Sequence, residues 1–217
     1  MRFDTPEGPL DVGISKLIVA GWTGRDRGAV DHHIAELAAL GVKPPSTVPL
    51  FYRVSRDLLS RSDRLQVLGP DTSGEVEPLL VMADGRLWLG LGSDHTDRAL
   101  EAVSVAASKQ VCGKPVAADL WPFEAVAAHL DQLVLTCDIE EDGSWVRYQE
   151  GTLAAIRPLQ SLVADAGLDD GAAMLCGTLA ARGGVRPASG YRMRLEDPVT
   201  GHEITLSYRV DTLPVVS

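Results

Sequence analysis

Apolar residues recur along the chain in two periods, and the switches between them mark its elements. From Gly13 to Gly21 the residues Ile14, Leu17, Ile18, Val19 and Ala20 form a mostly apolar run closing on glycine, which predicts a core strand. Between Ala29 and Leu40 the apolar positions Val30, Ile34, Leu37, Ala38 and Leu40 fall near helical spacing, with Gly41 as a stop. Lys43-Pro44-Pro45 denies helix, and Val48 to Val54, β-branched and aromatic, predicts a strand followed by a turn-rich segment. Glu75 to Met82 and Arg86 to Leu91 are β-prone runs joined by Ala83-Asp84-Gly85, and Asp-Gly between such runs predicts a hairpin. Helices are expected over Leu120 to Leu130 and Pro158 to Ala166, and strands over Gln132 to Ile139, Ser144 to Gln149, Tyr191 to Leu195 and Glu203 to Val210. The sum is an α+β, β-dominated fold with peripheral helices and no internal repeat or linker.

Composition narrows the function classes. A chain of 217 residues is sized for one domain. Lys and Arg total 20 against 30 for Asp and Glu, and the net charge of −10 opposes nucleic-acid phosphates and anionic membrane surfaces. The longest weakly polar run, Ala172 to Ala181, falls short of the roughly 20 apolar residues of a membrane span. The N-terminus carries no basic patch followed by an apolar stretch and a small-residue cleavage site, so a cytoplasmic location is expected. Cys112, Cys137 and Cys176 lie far apart without a C-x-x-C pair, which points to reduced thiols rather than a disulfide framework or zinc knuckle.

The hairpin carries the candidate chemistry. Glu75 and Glu77 are two apart, so in an extended strand both face one side. A two-residue turn at Asp84-Gly85 places Glu75 opposite Asp94 and Glu77 on the diagonal, with Cβ separations of about 4.5–5.5 Å and about 7–8 Å. Three carboxylates that close repel one another unless a cation compensates them. All-oxygen ligation suits Mg²⁺, or Mn²⁺ or Ca²⁺, better than zinc. A solvated strand face carrying charge for solubility is the alternative reading of the same spacing.

Elsewhere His33 and Glu36 share a helix face, either as a general base with its orienting carboxylate or as an exposed polar pair. Lys109 and Lys114 read singly as solvent-exposed lysines, and Cys112 between them lacks a neighbouring histidine to act as its base. Gly177-Thr178 after an apolar strand is either an anion contact or a turn. His95, His129 and His202 stand in no interpretable pattern.

Taken in order from about residue 17 to 210, these pieces resemble the fumarylacetoacetate hydrolase-like family, in an uncharacterised bacterial branch. Val30-Asp31-His32-His33-Ile34-Ala35-Glu36 resembles the family's Tyr-x-x-His-x-x-Glu helix, and Pro49-Leu50-Phe51-Tyr52-Arg53 its Pro-x-Phe-x-Lys strand. Glu75-Val76-Glu77-Pro78-Leu79 is similar to the Glu-x-Glu-Leu metal strand, and Ser93 to Arg98 to the Asn-Asp-x-Ser/Thr-x-Arg segment. Lys109 falls near the family's Gly-Lys-Ser lysine, Trp145 to Thr152 resembles the strand with Gln-x-Gly-x-Thr, and Leu175 to Ala180 the Thr-Gly-Thr-Pro-x-Gly loop. Ser93 replaces asparagine, Leu179 proline and Arg53 lysine, and residues 24–28 resemble an insertion.

The resemblance implies one catalytic domain over residues 1–217, a fumarylacetoacetase C-terminal-like β-roll with peripheral helices, and a homodimer. It implies that Glu75, Glu77 and Asp94 bind Mg²⁺, that His33 and Glu36 activate water, that Lys109 neutralises developing charge, and that Arg53 and Thr178 bind a small carboxylic acid substrate. The implied reaction is hydrolysis of a C–C bond in a 2-oxo acid or 1,3-dicarbonyl through a metal-stabilised enolate. Decarboxylation or keto–enol isomerisation of a 2-oxo acid uses the same enolate without water attack. A non-catalytic protein binding a metal or small acid is the alternative of another class.

Overall fold

The computed structural model describes residues 1–39 and 44–216. A short hairpin, Arg2–Thr5 with Gly8–Asp11, precedes strand β1 (Lys16–Gly21), helix α1 (Arg27–Ala39), and strands β2 (Leu50–Val54) and β3 (Arg64–Leu68). The predicted stop at Leu40 and Gly41, and Lys43, lie outside the described residues. β4 (Val76–Ala83) and β5 (Arg86–Ser93) form the expected hairpin, followed by helix α2 (Val105–Gln110) and the short strand β6 (Trp121–Pro122). Then come β7 (Val134–Glu141), β8 (Ser144–Thr152), helix α3 (Leu159–Ala166), β9 (Ala172–Leu175), β10 (Gly190–Asp197) and β11 (His202–Leu213).

These strands build two sheets. One has the order β6-β5-β4-β9-β1-β2, with β9 parallel to β1 and the other pairs antiparallel. The second runs β8-β7-β10-β11-β3, antiparallel except for β11 beside β3. The larger core lies between the sheets, where Ile18, Leu80 and Leu89 meet Leu135, Tyr148, Tyr191, Leu195 and Tyr208. A second core on the far face of the six-stranded sheet joins Leu17, Val19, Leu79, Val81 and Leu175 to Phe3, Val12, Val116 and Leu120. That sheet is thus covered on both faces, which is why β4 reads as a near-continuous apolar run. The fold is α+β and β-dominated, as expected.

Three local expectations need correction. Leu120 to Leu130 is not one helix: β6 is followed by a single turn at Phe123–Val126 and a 3₁₀ segment, Ala127–Gln132, with His129 outside helical φ/ψ. Trp121 and Pro122 pair with Leu89 and Trp88, so the sheet takes the start of that segment. The turn-rich region after Val54 contains β3, whose Leu65 and Val67 are buried between exposed neighbours in the alternation of a one-sided strand. Residues 98–110 also hold unforeseen helices, a turn at Arg98–Glu101 capped by Asp97 and α2 capped by Ser104. By contrast α3 ends as predicted, with Gly167 at φ 57° and the N–H of Leu168 donating to the Val163 carbonyl at 3.1 Å.

Candidate metal centre

The Asp84-Gly85 turn has φ of 53° and 72°, the left-handed pair of a type I′ hairpin, and it fixes the register. Val76 pairs with Ser93 and Glu77 with Gly92, and the Asp94 N–H donates to the Glu75 carbonyl at 3.1 Å just beyond the strands. The register drawn from the sequence is therefore the observed one. Glu77 lies on the same face as Leu79 and Val81, and Glu75, Glu77 and Asp94 each offer a carboxylate oxygen within 4.8 Å of the others. Glu77 and Asp94 are buried and Glu75 is largely so.

Repulsion among these acids is met by three basic side chains, a solution the sequence reading did not foresee. Arg98 approaches Glu75 at 3.2 Å and Glu101 at 2.9 Å. Lys109 donates to Asp94 Oδ2, and Lys114 Nζ lies 3.3 Å from Asp94 Oδ1. Burial raises the Asp94 pKa, but the two ammonium groups outweigh it and hold the carboxyl at about 2. Burial works against the Lys109 charge too, and Asp94, Glu75 and Glu77 outweigh it, raising its pKa.

Glu77 is treated differently. Among the described residues it makes no salt bridge, and its only hydrogen bond comes from the Gly177 N–H at 2.7 Å. Burial, followed by the Asp94 charge, pushes its pKa well above the ordinary carboxylate value. Glu75 is also raised, by burial first, with Arg98 and Lys109 opposing. Positive charge is thus least supplied at Glu77, and Asp94 Oδ1 is buried without a hydrogen-bond partner among the described residues. Three hard oxygen donors with that deficit fit a divalent cation of the Mg²⁺ or Mn²⁺ kind.

Lys114, read from sequence as an ordinary surface lysine, is fully buried. Its Nζ donates to the carbonyls of His95 and Lys109 at 2.6 Å and of Cys112 at 3.0 Å. Three such bonds require the ammonium form, because a neutral amine has two N–H donors. Burial, the larger influence, draws its pKa down while Asp94 opposes. A local signal existed in Gly113-Lys114-Pro115, but the partners come from the C-terminal end of α2 and from the loop after β5.

His95, uninterpretable in the sequence, is buried behind the acids. Its Nδ1 meets Tyr208 Oη at 3.0 Å and its Nε2 meets Thr72 Oγ1 at 2.9 Å, while Ser93 Oγ meets the same Tyr208 hydroxyl at 2.9 Å. Burial, with Lys114 and Arg98, drives the imidazole pKa to about 3, so it is neutral. Gly74 makes room for this cluster, since a Cβ there would lie 2.0 Å from Tyr208 Oη.

The remaining expected residues divide. Lys109 is at the centre. Arg53 is not: it follows Tyr52 in β2, pairs with Ile18, and so leaves the opposite face of the sheet, exposed, with its charge acting on Asp169. Tyr52 instead faces the centre, with Lys109 Nζ 5.7 Å from its ring centroid. The Thr178 hydroxyl donates to the Val76 carbonyl at 2.7 Å and accepts from Gln149 Nε2 at 2.8 Å, so its proton is committed to β4 rather than free for a carboxylate. Gly177 has φ 95°, and a Cβ there would lie 1.7 Å from Thr23 Oγ1, so only glycine brings this loop against Glu77. The backbone at His33 and Glu36 belongs to α1, but their side chains lie outside the described residues.

Solved structures share this architecture. A proposed fumarylacetoacetate isomerase/hydrolase from Oleispira antarctica superposes with a TM-score of 0.68 at 17% identity, over 97% of this chain and 100% of that one. A proposed fumarylpyruvate hydrolase from Burkholderia cenocepacia gives 0.66 at 18%, over 98% and 95%. A 2-keto-3-deoxy-D-arabinonate dehydratase complexed with magnesium and 2,5-dioxopentanoate gives 0.65 at 16%, over 96% and 76%. No curated protein matches the chain in sequence. The molecule therefore has the fumarylacetoacetate hydrolase-like fold. Residues 20–208 match the family model described as "Protein of unknown function (DUF2848)", and the chain belongs to that family, an uncharacterised branch with this fold.

Proposed function

We propose that the protein is a metal-dependent enzyme that cleaves a C–C bond in a small 2-oxo acid or 1,3-dicarbonyl, with water as the second reactant. The observation that carries this reading is the convergence of Glu75, Glu77 and Asp94 within 4.8 Å, with Asp94 held by Lys109 and Glu77 without a salt bridge among the described residues. Glu75, Glu77 and Asp94 would hold Mg²⁺ or Mn²⁺, which would supply Lewis-acid polarisation of a 2-oxo acid. The chain's own residues prepare that site. Lys109 and Lys114 keep Asp94 ionised, Arg98 fixes Glu75, and the Gly177 N–H orients Glu77. To His33 and Glu36, three residues apart in α1, we assign the role of the base that takes a proton from water and of its partner carboxylate. The protein works as a homodimer in the cytoplasm; among the described residues no helix is long and apolar enough to cross a membrane.

A second reading, loss of water or CO₂ from a 2-oxo acid or its tautomerisation, draws support from the fold shared with the dehydratase. Incubating the Mn²⁺-loaded protein with a panel of acylpyruvates tests both. Stoichiometric release of pyruvate and a carboxylic acid, abolished in His33→Ala, is the expected result. Enolisation or decarboxylation that survives His33→Ala supports the second reading, and no turnover of any acylpyruvate or 2-oxo acid contradicts both.

A further inference from the structure

Beside the acids the chain places two large aromatic rings. Tyr52 is half-buried on the face of β2 that looks toward the centre, and its ring lies beneath Lys109. Trp22, also half-buried, donates from its indole Nε1 to Tyr52 Oη at 3.4 Å. The position of Tyr52 is built: a Cβ on Gly21 would lie 2.8 Å from Tyr52 Cε2, so the absence of a side chain there lets the ring lean across β1. Trp22 has φ 61°, a left-handed backbone that bulky residues rarely adopt and that is associated with functional sites when the surrounding structure holds it. The two rings are thus joined through Tyr52, which lies against Lys109, the partner of Asp94, with Trp22 on the far side of its hydroxyl.

Among the described residues the cations around the acids are committed. Lys109 and Lys114 hold Asp94, Arg98 holds Glu75 and Glu101, and Arg53 leaves from the opposite face. A second carboxylate at the far end of a substrate would need one of these groups to abandon a buried acid, which is costly. A flat apolar group needs only the rings.

Resting on the metal-centre reading above, we propose that Trp22 and Tyr52 form the subsite for the part of the substrate remote from the acids, and that this part is aromatic or otherwise flat and apolar rather than a second carboxylate. The preferred substrates are aryl-substituted 2-oxo acids and not dicarboxylates. A pair of 2-oxo acids that differ in the tail, 2-oxo-4-phenylbutanoate and 2-oxoglutarate, isolates its contribution, and oxalate, which has none, reports the metal centre alone.

Isothermal titration of the three acids into the Mn²⁺-loaded full chain gives the test. Expected are oxalate binding, a roughly tenfold or greater preference for the phenyl acid over 2-oxoglutarate, collapse of that preference in Tyr52→Ala and Trp22→Ala, and its retention in Tyr52→Phe, which keeps the ring. Oxalate binding in each variant certifies an intact centre. Oxalate binding with 2-oxoglutarate equal to or tighter than the phenyl acid, or a preference that survives both alanine variants, overturns the aromatic subsite and leaves the metal centre standing. No oxalate binding by the unaltered protein overturns both.

Discussion

The side chain of Gln149, on β8 of one sheet, is bonded to the backbone of Val76, at the start of β4 in the other: its Oε1 accepts the Val76 N–H at 3.0 Å. Its Nε2 donates to the Leu179 carbonyl at 2.7 Å and to the Thr178 hydroxyl, which in turn donates to the Val76 carbonyl. Both backbone polar groups of the residue between Glu75 and Glu77 are thereby fixed from across the core. Replacing Gln149 by Ala leaves a buried N–H and a buried carbonyl unpaired, and should destabilise the fold by about 1–3 kcal/mol. Urea unfolding checks this, and metal affinity should fall in the same variant because the spacing of the two glutamates is no longer held.

Lys114 makes a sharper case. Its ammonium ties the end of α2 to the loop after β5 through the carbonyls of Lys109, Cys112 and His95. Lys114→Met should cost roughly 3–5 kcal/mol, since a buried charge partner and three acceptors lose their donor. Lys109→Met, which among the described residues removes a hydrogen bond to Asp94 only, should cost less in urea unfolding yet raise the Asp94 pKa.

These two lysines also show where the sequence was legible and where it was not. Glu75, Glu77 and Asp94 could be placed together from the chain alone because a two-residue Asp-Gly turn fixes a register, and register is local arithmetic. The strand pattern around them was readable for the same reason, one alternation at a time. β3 escaped because its pairing partner, β11, lies far along the chain and only that partner makes the alternation of Arg64 to Leu68 a strand. Arg53 was placed at the site by motif position, and the pleat of β2 sends it to the other face while Tyr52 takes the inner one. Lys109 was placed at the site by motif position, but the ion pairs of Arg98 with Glu75 and of Lys114 with Asp94 were invisible, because they depend on how residues 98–114 fold back toward the acids.

The buried imidazole gives a pH dependence. The His95 pKa is lowered from about 6.5 when unfolded to about 3 in the fold. Between those values the unfolded chain binds a proton that the folded one does not, so stability rises with pH there and is lost as pH falls from 6.5 toward 3. A tenfold difference in proton affinity between the two states corresponds to roughly 1.4 kcal/mol, which bounds the loss per pH unit from above. Urea midpoints measured from pH 7 to 4 should decline, with a shallower decline in His95→Phe despite its lower starting stability.

Glu77 runs the other way. Its raised pKa means that the metal-free carboxyl keeps its proton to a higher pH than an ordinary carboxylate, and a divalent cation must displace that proton where it is held. Metal titrations in buffers of different ionisation enthalpy should therefore show proton release that diminishes as pH rises, and Glu77→Gln should lose most of it. In the metal-free protein the raised pKa makes the Glu77 contribution to stability greatest at low pH and lost as pH rises through its folded-state pKa.

The central claim is that Glu75, Glu77 and Asp94 hold a divalent cation that in turn binds a 2-oxo acid. Calorimetric titration of Mg²⁺ and Mn²⁺ into metal-stripped protein, with and without oxalate, tests it most directly. Binding that tightens with oxalate and disappears in the Glu75→Ala/Glu77→Ala double variant is the predicted result. An unaltered protein that binds neither ion, or a double variant that binds as well as the unaltered chain, would contradict it.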